Sequence, residues 1–222
     1  VSRLAAMSET SPDGVATLSG EVSDIAAKRL TLERAAALPA VSGIVDRLRV
    51  RPAEPMGDGA IADHLGEALL GESAFDECGL VRHVGEQSVK LRRSRPDGLA
   101  YWIEYRVEDG VVTLDGDVPS LSHKRLAGVL AWWVPGSRDV VNGLGVEPDE
   151  RDTAQEILDA LRLVLEKDPL VDATRIGARC DAAVVTLTGA VAAEAERTAA
   201  ELDAWALFGV DGVVNEIEVA NA

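Results

Sequence analysis

A strand–turn–helix–strand unit occurs three times in this chain without a gap, and that repetition constrains the fold more than any other feature. The opening strands read Val15-Ala16-Thr17-Leu18-Ser19-Gly20, Val111-Val112-Thr113-Leu114-Asp115-Gly116 and Val184-Val185-Thr186-Leu187-Thr188-Gly189. In each copy the glycine precedes by 30 residues the valine that closes a second strand, at Val50, Val146 and Val219. A fixed internal period means that one supersecondary unit has been copied, so the chain is an array of small modules and not one large core.

Each Val-x-Thr-Leu-x-Gly run alternates with period two and is rich in β-branched residues, the pattern of a strand with one buried face. Apolar residues at helical spacing follow, over 25–38, 121–134 and 194–207. In the second copy Leu126, Val129, Leu130 and Trp133 form the inward stripe. Pro39 and Pro135 end two of these helices, because proline lacks the amide donor that the next turn needs. Upstream of the third copy, a helix over 153–166 begins near Asp149, Glu150 and Asp152, whose carboxylates suit the positive end of the helix dipole. A strand over 173–180 then leads to Val184.

The second copy has the same order, with a helix over 60–70, and an insertion at 72–97 separates that helix from the strand at 99–107. Within the insertion, 80–84 and 88–93 alternate like a hairpin around Gly85, and Pro96-Asp97-Gly98 makes a further turn. Only Val1 to about Glu9 precede the first central strand, so the leading helix of the first copy is missing or lies upstream. The sequence leaves open whether the 60–70 helix completes the first copy or packs on the second. The modules divide as 1–54, 55–148 and 149–222.

These residues resemble the BON (bacterial OsmY and nodulation) domain in three tandem copies. The resemblance is carried by the Val-x-Thr-Leu-x-Gly strand and by a basic residue eight positions after the glycine, at Lys28, Lys124 and Arg197. It also rests on a final strand that carries Asp46, Asn142 or Asn215. It implies an α+β fold of three tandem αββαβ modules, each with helices on one face of a three-stranded mixed sheet. It also implies noncatalytic modules of the periplasm or envelope, linked to osmotic stress and to contact with phospholipid or protein, although cytoplasmic members attached to ligand sensors exist as well.

The formal net charge is −16, and it is unevenly spread: residues 149–222 carry six basic and sixteen acidic side chains, whereas 1–54 carry seven of each. Such a surface repels phosphate backbones, so no nucleic-acid partner is expected. Cys78 and Cys180 lie in different copies without a CxxC pair, and His64, His83 and His123 fall in separate segments, so neither a disulfide framework nor a metal site is indicated. No apolar stretch has the length of a membrane-spanning helix. The chain begins at Val1, which leaves open a trimmed start or a segment of a longer protein.

No GxSxG elbow, GxxxxGK[ST] loop or HExxH helix occurs, and no cofactor or enzymatic activity is expected. Three groups of residues invite a functional reading. The repeat glycines Gly20, Gly116 and Gly189 are expected to be turn positions. Trp132 and Trp205 occupy equivalent places and suit either a lipid or partner anchor or packing between modules. Lys90, Arg92, Arg93 and Arg95 form the one basic run, suited to anionic headgroups, to an acidic partner or to a charge-guarded strand edge. The leading expectation is a noncatalytic adaptor binding a protein partner or a phospholipid surface; the alternative is a sensor of a small ligand or cation such as potassium. The sequence does not set the oligomeric state.

Overall fold

The computed structural model describes residues 5–11, 13–92, 101–147 and 153–220. Their contacts divide the chain into two compact units, Val1–Ala53 and Glu54–Ala222. The expectations placed on Val1, Arg93, Arg95, Pro96-Asp97-Gly98, Asp149, Glu150 and Asp152 fall outside the described residues.

The first unit is module one. Strand β1 (Ala5–Thr10) pairs antiparallel with β2 (Val15–Val22), and β2 pairs parallel with β3 (Gly43–Val50). A parallel neighbour requires a crossover, which helix α1 (Ile25–Ala36) supplies. Asp24 caps that helix by accepting from Ala27 N at 2.7 Å. Ala16, Leu18, Val22, Ile25, Leu48 and Val50 are buried.

Module two opens with helix α2 (Asp58–Gly71), which packs on the second module's sheet and so settles the question left open by the sequence. After a 3-10 turn at Ser73–Phe75 come β4 (Gly79–Val84), β5 (Gln87–Arg92), β6 (Trp102–Glu108) and β7 (Val111–Val118). Helix α3 (Leu121–Trp133) leads to β8 (Asp139–Asn142) and the short β9 (Gly145–Val146). The expected hairpin forms, but it does not stand apart. Strand β4 joins β6 in parallel, so the sheet runs β5-β4-β6-β7-β8 with β9 also on β7, six strands where three are expected. The closing strand is broken at Gly143-Leu144, where Leu144 turns into the core and Gly143 N donates to Leu114 O.

Module three comprises α4 (Ala154–Lys167), a 3-10 turn at Ala173–Arg175, β10 (Ile176–Asp181), β11 (Val184–Val191), α5 (Glu194–Ala206) and β12 (Gly212–Val219). Its sheet has the order β10-β11-β12. The strand read from 173 therefore begins only at Ile176, because Asp172 caps Thr174 N and folds the first residues into a turn. Both helices pack against the sheet, α4 on β10 and α5 on β11 and β12.

The final strand of every module is pinned by one residue of the repeat. Asn142 donates through Nδ2 to Lys124 O at 2.8 Å, and Asn215 donates to Arg197 O at 3.1 Å. Asp46 in module one has no donor, and there the Lys28 ammonium bridges Asp46 at 2.9 Å and Leu48 O at 3.0 Å instead. The Asp/Asn position and the basic position of the repeat thus meet in space, tying the last strand to the first turns of the crossover helix.

Candidate functional site

The repeat glycines are turn positions. Gly20, Gly116 and Gly189 have φ of +135°, +109° and +127°, a region that side-chain-bearing residues rarely adopt. A Cβ at Gly116 would collide with Trp102 O, and one at Gly189 with Arg175 O.

Lys90 and Arg92 of the basic run lie on the outermost strand of the six-stranded sheet. Lys90 is exposed on β5, and its ammonium sits 5.6 Å from the centre of the Trp102 ring. Arg92 ends β5, while Arg93 and Arg95 lie beyond the described residues. On the neighbouring strands His83 bonds Glu104 Oε2 at 2.8 Å and Ser88 Oγ at 3.0 Å. The hairpin also exposes two valines, Val84 (51%) and Val89 (46%). Apolar and cationic groups therefore share this edge.

The two tryptophans at equivalent places diverge. Trp132 is half-buried on α3, but Trp205 is 2% exposed on α5 and does not reach a surface. Of the two readings open to the pair, a surface anchor is closed to Trp205 in this fold. Trp133, expected in the core, is only half-buried and spans to module three, where its indole N–H donates to Asp203 Oδ1 at 2.9 Å. Around it, Arg125 is 0% exposed and donates through Nε to Phe208 O at 2.8 Å. Lys124 lies 4.2 Å from the centre of the Phe208 ring, and Lys167 pairs with Glu72 at 2.8 Å. Helices α3, α4 and α5 thus join modules two and three through buried polar groups.

Burial shapes the ionisation of these groups. Desolvation, with the Asp168 carboxyl nearby, pushes Asp203 up to about 8 against the opposing Trp133 hydrogen bond. Burial also works to raise Glu72, but the Lys167 contact and the Ala74 N–H outweigh it and hold the carboxyl below its usual value. Desolvation and the Arg125 charge lower Lys124. Tyr105, buried under α2 with its hydroxyl donating to Ala62 O at 3.1 Å, is raised to about 12 by desolvation first. Sequence reasoning missed this junction, because nothing local marks Trp133 and Asp203 as partners.

Among the described residues no group of three or more His, Cys, Asp or Glu side chains is placed to hold a metal ion. Cys78 is buried and Cys180 half-buried, and neither is in a disulfide. Among the described residues no helix is long and apolar enough to cross a membrane.

Repeated helix-and-sheet modules of this topology, with glycine-turned central strands and a pinned parallel closing strand, define a tandem α+β module protein. The BON domain model matches residues 9–52, 101–148 and 153–221, and the chain belongs to the BON domain family. That family is generally noncatalytic and is linked to envelope and osmotic-stress proteins and to lipid or protein binding. A comparison with curated proteins gives no match to this sequence. Among solved structures the chain is similar to the C-terminal domain of CdsD, a structural protein of the type III secretion system of Chlamydia trachomatis. Identity there is 14%, 98% of this chain and 91% of that chain are covered, and the TM-score is 0.28. A second CdsD structure from Chlamydia trachomatis gives 14% identity, coverage of 99% and 87%, and a TM-score of 0.27.

Proposed function

We propose that the chain is a noncatalytic adaptor of the bacterial envelope or osmotic-stress response, which holds a protein partner or a phospholipid surface on the faces its modules leave open. The observation that carries this reading is the inserted hairpin of module two. It ends the sheet with Val84 and Val89 exposed beside Lys90, in a chain whose remaining charge is strongly acidic. An edge that exposes valines on one face and a lysine on the other suits an anionic headgroup layer or an acidic, partly apolar protein that wraps it.

Liposome co-flotation separates the two versions. Anionic and neutral vesicles are compared at low and high salt, with a variant carrying Arg92→Ser, Arg93→Ser and Arg95→Ser alongside. Salt-sensitive flotation on anionic vesicles only, lost in the variant, supports the lipid version. A complex recovered from envelope extract that survives high salt, without flotation, supports the protein version. A chain that neither floats nor retains any envelope component is not an adaptor.

A further inference from the structure

Modules two and three share one architecture but differ at one sheet edge. In module two, β4 fills the edge of β6, running parallel with Leu80 beside Ile103 and Arg82 beside Tyr105. Leu80, Ile103 and Tyr105 are buried, and Arg82 forms an ion pair with Asp63 on α2. Tyr105 fits because α2 carries Gly66 above it; a Cβ at Gly66 would come within 2.6 Å of the tyrosine oxygen.

Strand β10 occupies the place of β6, since Ile176 faces Gly189 as Ile103 faces Gly116, and Ala178 faces Leu187 as Tyr105 faces Leu114. Aligned from their first residues, α4 matches α2 in the same way: Ile157, Asp159, Leu161, Arg162 and Leu165 stand where Ile61, Asp63, Leu65, Gly66 and Leu69 stand. Yet among the described residues β10 has only β11 beside it, and Ala178 replaces the tyrosine. What remains is a groove of about 400 Å³ between α4 and β10, lined by Leu158, Leu161, Leu165, Ile176, Ala178 and Arg162.

We propose that this groove takes an extended, basic segment of a partner protein, which adds to the sheet parallel to β10 and sets an apolar side chain beside Ile176 and a cationic one on Asp159. The inference rests on the adaptor reading and names the chemistry of its partner. An edge strand offers the main-chain hydrogen bonds for strand addition, and the pockets beside it select alternate side chains. Charge agrees. The Asp159 side chain is 52% exposed, and its nearest cation, Arg162, stands 3.9 Å away. Exposed Glu166 lies on the same rim, in a module with sixteen acidic and six basic residues. The chain's own β4, with Leu80 and Arg82 two apart on one face, is the pattern such a segment would present.

The test is an amide NMR titration of the labelled full chain with a synthetic peptide of the β4 sequence, residues 79–84, against a scrambled control. Saturable shifts confined to α4, the Ala173–Arg175 turn and β10, with Kd below about 1 mM, are expected for strand addition to a shallow groove. Asp159→Lys should weaken binding at least about tenfold, and a peptide with glutamate in place of its arginine should recover it. Ala178→Tyr combined with Arg162→Gly rebuilds the tyrosine-and-glycine pair beside which β4 sits in module two and should keep the β4 peptide bound, with thermal melting verifying the fold; loss of binding in that folded variant would overturn strand addition. No shifts at about 5 mM peptide, equal binding of the scrambled peptide, or shifts at these residues from anionic vesicles alone would overturn the proposal. Failure here leaves the adaptor reading to the flotation and extract experiments, which do not depend on this groove.

Discussion

The indole N–H of Trp133 in module two reaches 2.9 Å to the carboxylate of Asp203 in module three, and the carboxyl it meets is 3% exposed. A buried acid that holds its proton makes the junction between these modules sensitive to pH.

The direction follows from linkage. Asp203 titrates near its ordinary 3.8 when unfolded and near about 8 when folded, so its favourable contribution is complete below the lower value and disappears as pH rises through the upper one. Its contribution to stability should therefore fall between about pH 4 and pH 8, by at most about 1.4 kcal/mol per pH unit. Asp203→Asn keeps an oxygen for Trp133 and should be more stable than the parent at pH 8, with a flatter pH profile. Urea denaturation at several pH values checks this; parallel profiles would show that Asp203 stays charged.

Arg125→Met should destabilise the two-module unit by about 2 kcal/mol, because the Phe208 carbonyl loses its buried donor while the methionine keeps the apolar stem. Guanidinium denaturation followed by tryptophan fluorescence reads it out, since Trp133 and Trp205 lie within the two-module unit.

Gly189→Ala should cost more than about 2 kcal/mol, combining a φ of +127° with a clash against Arg175 O. A thermal melt of that variant beside Gly43→Ala, whose added Cβ meets only Val15 at 3.8 Å, isolates the effect of the turn.

The two-residue turn between β10 and β11 is built from Ala182 and Ala183 at φ of 45° and 63°, where the corresponding turn of module two uses Asp109 and Gly110. Left-handed backbone disfavours alanine, and Asp-Gly suits this hairpin geometry. Ala182→Asp with Ala183→Gly should therefore stabilise the chain by about 1 kcal/mol, measurable as a raised Tm.

In module one, removing either Lys28 or Asp46 should destabilise by more than their joint replacement implies, because each alone takes away the charge partner at 2.9 Å while Lys28 is only 5% exposed. A cycle with Lys28→Met and Asp46→Asn measures the coupling, expected at about 1–2 kcal/mol.

Much of this fold is legible in the residues because the signals are local. Val-x-Thr-Leu-x-Gly declares a half-buried strand and its turn, and helix α3 follows its apolar spacing. What pairs across long distances is not legible. The hairpin of the insertion shows as two alternating runs, but nothing in Leu80 or Val81 names β6 as a parallel neighbour. Lys28 and Asp46 stand out as repeat positions, yet their contact needs the crossover to be built. The candidate site divides the same way: Lys90 marks an exposed edge by its charge, whereas Trp205 reads like Trp132 and differs only in how deeply the fold buries it. The groove beside β10 arises from an alanine at 178 and the lack of a neighbouring strand, and neither is a signal until module two supplies the comparison.

The polar joint between the second and third repeats bears on how such arrays are passed on. A recombination event that copied module three alone would carry Asp203 and the Phe208 carbonyl away from Trp133 and Arg125. In gene duplication and shuffling, the heritable piece around this joint is therefore the pair of modules and not either one alone.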